Sequence, residues 1–214
     1  MDRLFLNQVS KRFQTHWVFK SIDLELSAGE SLFINGPNGS GKSTLLKIIS
    51  GWVSPNEGNI KYYHNENEIL VDNVFEYISI SAPYLELIEE LSLTELLKFH
   101  QSFKRLSINT TANEFSEAIE IEHQISKPIK SYSSGMKQRV KLGLTLFSNS
   151  SLILLDEPTS NLDKSGILWY KKNIETILKN RIVIVCSNDI ADEHFFCTKK
   201  INLSDYKHHK KLDL

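Results

Sequence analysis

Residues Gly36-Pro37-Asn38-Gly39-Ser40-Gly41-Lys42-Ser43 hold three glycines, a lysine and two hydroxyls, with Gly36, Gly41, Lys42 and Ser43 in the spacing G-x-x-x-x-G-K-[ST]. Glycines let backbone N–H groups converge on an anion without Cβ obstruction, and a helix starting behind them adds its partial positive end. In that arrangement Lys42 reaches the β and γ phosphates of a nucleotide and the Ser43 hydroxyl binds Mg²⁺, so Gly36 to Thr44 form the candidate seat. The plain alternative is a turn that binds nothing. A second group stands in "LILLDEPTSNLD", where an apolar run ends in Asp156 and Glu157. A parallel strand there delivers both carboxylates to the ligand side of a sheet. Asp156 then holds Mg²⁺ through water while Glu157 polarises an attacking water. A phosphate loop alone leaves kinases, GTPases and ATPases open, and the acid pair decides among them.

These residues need strands that end at one edge. "SLFI" (31–34), "LILL" (152–155) and "IVIVC" (182–186) lack the alternation of a half-exposed strand, which predicts a parallel sheet covered on both faces. Between the last two, Ile167, Tyr170, Ile174, Ile177 and Leu178 recur at helical spacing, completing a βαβ unit. "KSTLLKIIS" reads as the helix behind the glycine loop. "LFLNQVSKRF" and "FKSIDLEL" alternate as antiparallel strands do, and "EGNIKYYHNENEILVD" looks like a hairpin. Residues 92–147 turn predominantly helical. The expected fold is α/β: a phosphate-loop NTPase core with a mainly parallel sheet, an N-terminal antiparallel β layer and a helical insertion at about 84–147. All of it lies in one domain, 1–214, because no repeat or linker interrupts the chain.

Composition sets the outer limits. A chain of 214 residues, 41% hydrophobic and 24% charged, supports one substantial core. A net charge of -1 offers no field to recruit nucleic acid or an anionic membrane. The longest uncharged run, 142–155, is too short to span a bilayer, and the N-terminus lacks the apolar region of a secretory signal, so a cytoplasmic location is expected. Cys186 and Cys197 form no disulfide or metal spacing and read as ordinary apolar thiols. The basic "YKHHKK" near the C-terminus reads as a solvated end.

With a third stretch the chain resembles the ATP-binding cassette family, the nucleotide-binding subunits of membrane transporters. "YSSGMKQRVKLGLTLF" at 132–147 looks like that family's signature followed by a helix, with Met136, Val140, Leu144 and Phe147 as its apolar stripe. The resemblance implies that Ser133, Ser134, Gly135 and Met136 bind the γ-phosphate of ATP held by a second chain, in a head-to-tail dimer, homomeric or heteromeric. It implies that Asp163 in "SNLD" contacts the partner and that Phe13 stacks on adenine, with Trp17 or Phe19 as rival platforms. ATP and Mg²⁺ are the cofactors it implies.

Three positions depart from the family pattern. No glutamine occurs between 15 and 100, where the family senses γ-phosphate; "SISAPYLEL" stands there instead, with Ser81 the nearest polar substitute. Asn188 replaces the histidine after the last core strand; it can hydrogen-bond phosphate but carries no charge. Met136 replaces the signature glutamine, and His194 belongs to the next helix.

The resemblance implies a slow or partner-dependent, Mg²⁺-requiring ATPase. It would drive a separately encoded permease on the cytoplasmic face of the inner membrane, docking through the helical region near 82–105. The alternatives are a soluble ATP-switched module acting on ribosome or DNA, which the lack of a basic surface disfavours, and a weakly hydrolysing partner in a heterodimer.

Overall fold

In the computed structural model, residues 1–106, 111–121 and 124–207 are described. Apolar alternation places β1 (Arg3–Phe13) and β2 (His16–Ser27) side by side, antiparallel, with Leu4, Leu6, Ile22 and Leu26 buried. The alternation breaks in mid-strand, where Gln8 and Ser21 take positive φ and the register shifts twice between Leu6 and Lys11. This irregularity re-registers the end of β1, so that Phe13 pairs with His16 at the hairpin tip. Next come β3 (Ser31–Asn35), α1 (Lys42–Ile49), β4 (Glu57–His64) and β5 (Asn67–Ile69). The last two form the expected hairpin, turning through Asn65 and Glu66, both at positive φ as a tight hairpin turn requires. The antiparallel sheet has the order β2-β1-β4-β5.

The chain continues through β6 (Ile78–Ser81), α2 (Leu93–Phe103), α3 (Ala112–Ala118), α4 (Ser134–Leu146), β7 (Leu152–Asp156), α5 (Lys164–Ile177), β8 (Ile182–Ser187), α6 (Ala191–His194) and β9 (Lys199–Asn202). A second sheet runs β6-β7-β8-β3-β9 with every neighbouring pair parallel. Its three central strands are the predicted apolar runs. Successive residues serve opposite cores: Leu152, Leu154, Ile182 and Ile184 pack with α1 and the antiparallel layer, and Ile153, Leu155, Val183 and Val185 pack with α4 and α5. Continuous hydrophobicity is therefore what two covered faces demand.

The helical expectation for 92–147 holds for α2, α3 and α4, but the region from 82 to 92 is irregular rather than helical. Its Leu and Glu spacing suggests a helix. The Leu91 and Glu89 carbonyls instead accept from the Ile129 and Lys130 N–H groups, and the helix begins only where Ser92 and Glu95 form a reciprocal capping box. On α4 the predicted stripe is incomplete: Leu142 and Leu146 are buried with Val140 and Leu144, and so are Gln138 and Arg139. Cys186 is buried and Cys197 partly so, both as free thiols. Most of the basic C-terminal stretch lies outside the described residues.

Candidate nucleotide-binding site

β3 ends at Asn35, and Gly36–Gly41 wrap from that strand end to the start of α1. Gly41 caps the helix at φ 104°, with no side-chain cap and no acid in the first turn. An added Cβ there would run into the Val18 side chain. The helix start is thus left open to an anion at a position only glycine fits.

Lys42 is 6% exposed. Its Nζ donates to the Gly36 carbonyl at 2.6 Å and to Asn188 Oδ1 at 2.6 Å. Ser43 donates its hydroxyl to Asp156 Oδ2 at 2.6 Å. Asn188 Nδ2 donates to Glu157 Oε1 at 2.8 Å. The residues singled out at the ends of three strands therefore meet in one place, at the carboxyl edge of the parallel sheet.

Asp156 is 3% exposed, and burial pushes its carboxyl above the ordinary range, against the Ser43 hydrogen bond that pulls it down; the neighbouring Glu157 raises it further. Glu157 sits at φ 47°, an uncommon conformation for a side-chain-bearing residue, and its N–H bonds the Cys186 carbonyl. That backbone turn carries its carboxylate off the strand line towards Asn188. Ser43 and Asp156 offer two adjacent hard oxygen ligands, a set that fits Mg²⁺, which completes its octahedron with waters and phosphate oxygens. When bound, the ion would neutralise phosphate charge.

A cleft of about 480 Å³ runs along these groups, walled also by Phe13, Val18 and Tyr84. Phe13 is 56% exposed on this cleft. Phe19 is fully buried in the core, and Trp17 lies under Arg12 and Lys20, so neither rival platform faces it. Ser81 is buried and lines a different cavity, an apolar groove with Leu96 and Phe99. His194 stacks on Phe33 at 3.8 Å, away from the phosphate loop's contacts.

Ser133 caps α4, accepting from the Met136 N–H at 3.2 Å. Ser133 and Ser134 are exposed, and Gly135 and Met136 half-buried. Asp163 caps α5; hydrogen bonds from the Gly166 N–H and the Ser165 hydroxyl hold its carboxyl below the ordinary range. Buried polar groups tie these elements to the acid pair. Gln138 Nε2 donates to the Pro158 carbonyl at 2.8 Å, and Arg139 bonds Glu120 and Ser165.

The profile of the ABC transporter family matches residues 19–160. The chain belongs to that family. It is 35% identical over 197 residues to the maltose/maltodextrin import ATP-binding protein MalK of Escherichia coli K12, covering 88% of this chain and 52% of that protein. It is 24% identical over 200 residues to the uncharacterized ABC transporter ATP-binding protein YdbJ of Bacillus subtilis, covering 92% and 65%. The chain thus spans about half to two thirds of these relatives' length. A solved putative ABC transporter ATP-binding protein from Pyrococcus furiosus matches with a TM-score of 0.78 and 29% identity, over 96% of this chain and 100% of that one.

Two parts of this ABC chain's site escape sequence reasoning. Val18 reaches the glycine loop from β2. Tyr84 reaches the cleft from the segment after β6. The one available signal for Tyr84 was its place where the family's glutamine is missing.

Proposed function

We propose that this chain binds Mg²⁺–ATP in the cleft and hydrolyses it as the motor subunit of a membrane transporter, working as a head-to-tail dimer. The observation that carries this reading is the hydrogen-bonded convergence of Lys42, Ser43, Asp156, Glu157 and Asn188 beside an uncapped helix start. Lys42 exchanges its loop carbonyls for phosphate oxygens, Phe13 packs on the base, and Glu157 orients and deprotonates water. The exposed Ser133–Ser134 pair and half-buried Gly135 and Met136 offer a second helix start to the partner's ATP, with Asp163 nearby at the interface.

We read 84–147 as a helical subdomain within one domain of 1–214. It contributes to an apolar groove of about 360 Å³ lined by Leu85, Leu87, Leu96, Phe99 and Phe103, in which Phe103 is 76% exposed. Such a surface suits a separately encoded permease, which would hold this chain at the cytoplasmic face of the membrane. No helix of the described residues is long and apolar enough to cross a membrane itself. A weakly hydrolysing role within a heterodimer is favoured by one observation, the uncharged Asn188 between Lys42 and Glu157.

The test is ATP turnover by the purified chain and by Glu157→Gln. The parent hydrolyses ATP in the presence of Mg²⁺. The variant loses about 10²- to 10⁴-fold in rate, the usual contribution of a positioned base, while still binding ATP and accumulating as a nucleotide-bound dimer. Equal rates for the two proteins would show that Glu157 does not polarise the water.

A further inference from the structure

Glu193 is a fully buried acid that the nucleotide chemistry leaves without a task. Its Oε1 accepts from the Thr159 N–H at 3.0 Å and from the Thr159 hydroxyl at 2.7 Å. Its Oε2 is buried as well and, among the described residues, has no hydrogen-bond partner. A buried acid with one oxygen idle is a poor device for stabilising a fold, so its role lies in what the other oxygen holds.

What it holds is the turn that begins at Glu157. Glu157 stands at φ 47°, and such a conformation persists only where its surroundings over-determine it. The Ser160 N–H bonds the Glu157 carbonyl at 3.1 Å, which makes Pro158 and Thr159 the central residues of a four-residue turn. Each is gripped by a different element. Gln138 of α4 donates to the Pro158 carbonyl at 2.8 Å, and Glu193 of α6 accepts from both donors of Thr159. Helix α6 is in turn tied to α5: the buried Tyr170 hydroxyl donates to the Glu193 carbonyl at 2.9 Å, and Lys171 pairs with Asp192 at 2.6 Å. The acceptor is therefore fixed, and the turn takes its place from it.

Building on the nucleotide reading above, we propose that Glu193 is a positioning residue for ATP hydrolysis: by clamping Thr159 it holds the Glu157 carboxylate where it can polarise water. Glu193 does not line the nucleotide cleft, whereas Glu157, two residues before the clamped threonine, does. The clamp therefore acts on rate and leaves nucleotide binding to Lys42, Ser43 and the glycine loop. Without it, the buried Thr159 N–H and hydroxyl lose their acceptor and the turn relaxes. A reacting group displaced by about 1 Å costs on the order of 10²-fold in rate. The clamp depends on reach rather than on charge. Glutamine has the same length and still offers Oε1 as an acceptor, while aspartate is one methylene short.

Steady-state ATP turnover in Mg²⁺ by the parent, Glu193→Ala, Glu193→Asp and Glu193→Gln, with ADP affinity measured by calorimetry, tests the assignment. The Ala and Asp variants are expected to lose about tenfold to a hundredfold in kcat, with KM and ADP affinity within about twofold of the parent's, and Glu193→Gln to recover most of that loss. On the Glu157→Gln background, Glu193→Ala slows the residual turnover no further, because it acts only through Glu157. Should Glu193→Ala fail to fold, Thr159→Val removes one of the two hydrogen bonds at nearly constant shape and lowers kcat by about threefold to tenfold. Parent-like kcat in these variants overturns the proposal and leaves the nucleotide reading standing. So does a loss of ADP affinity in step with rate, the mark of a merely structural role, or an equal further loss on the Glu157→Gln background. A glutamine variant as slow as the alanine one overturns it too, by assigning the effect to charge. A parent without Mg²⁺-dependent turnover overturns both readings.

Discussion

Replacing Asp156 by Asn should make the nucleotide-free protein more stable while destroying its response to Mg²⁺–ATP. Asp156 is 3% exposed, and its carboxyl is held above the ordinary range by burial first, with Glu157 and Glu193 adding to it against Ser43 and Lys42. A carboxyl whose folded value is raised weakens the fold above that value, and the penalty vanishes below the unfolded value of about 3.9. Each tenfold preference for the protonated form costs about 1.4 kcal/mol at neutral pH. Asparagine keeps the size and still accepts from Ser43, whose hydroxyl donates at 2.6 Å in the parent. At pH 7.5 in EDTA, melting followed by fluorescence should therefore show Asp156→Asn above the parent, on the scale of about 2–4 °C per kcal/mol for a chain of this size. The gain should disappear as pH falls to about 4. With Mg²⁺–ATP at a hundred times its dissociation constant the parent gains about 2.7 kcal/mol and the variant gains little, so their order reverses. A variant that melts below the parent in EDTA at pH 7.5 would refute the reasoning, because it would mean the charge is stabilised where it sits.

Gly41→Ala should lower stability by about 1–3 kcal/mol and nucleotide affinity by tenfold or more, since its φ of 104° and the Val18 side chain both oppose a Cβ; urea unfolding and ADP titration measure the two. Ser134→Arg, at an exposed position on the first turn of α4, should leave the monomer's melting temperature within about 2 °C and ADP affinity intact. It should abolish ATP-dependent dimerisation in sedimentation experiments on the Glu157→Gln background. Dimers of undiminished stability would remove Ser134 from the interface.

How much of this was legible in the sequence depended on how locally each requirement is written. The glycine loop is contiguous, its backbone demands are peculiar to glycine, and the strands around it are buried on both faces, so composition alone exposes them. β6 and β9 are not so written. In β6, Ser79 is buried and satisfied by Ser150 at 2.7 Å, a partner 71 positions away that no window could reveal. In β9, Lys199 and Lys200 lie on an exposed edge strand, where lysine guards against further pairing but looks like loop. The segment 82–92 points in the other direction: its Leu and Glu spacing suits a helix, but the Ser92–Glu95 cap places the true helix start at its end. For Tyr84 the sequence offers only its place beside the missing glutamine; that it shares a cleft with Asp156 is a tertiary fact.

The nucleotide-free site also suggests how binding and chemistry are linked. Lysine only donates and a carboxylate only accepts, so the amide of Asn188 has one orientation that serves both: Oδ1 to Lys42 and Nδ2 to Glu157. While Lys42 bonds Gly36 and Asn188, Glu157 is held by the same amide. On the proposed reading, ATP draws Lys42 to its phosphates and strips Asn188 of its acceptor role. The amide is then free to turn, and Glu157 exchanges a side-chain donor for water. A histidine at 188 could bridge the same two groups only in its neutral form; protonation near pH 6.5 would end its acceptance from Lys42 while leaving an N–H on Glu157. Asparagine does not titrate, so release of Glu157 in this chain follows Lys42 and therefore the nucleotide, with pH having no direct hold on that link.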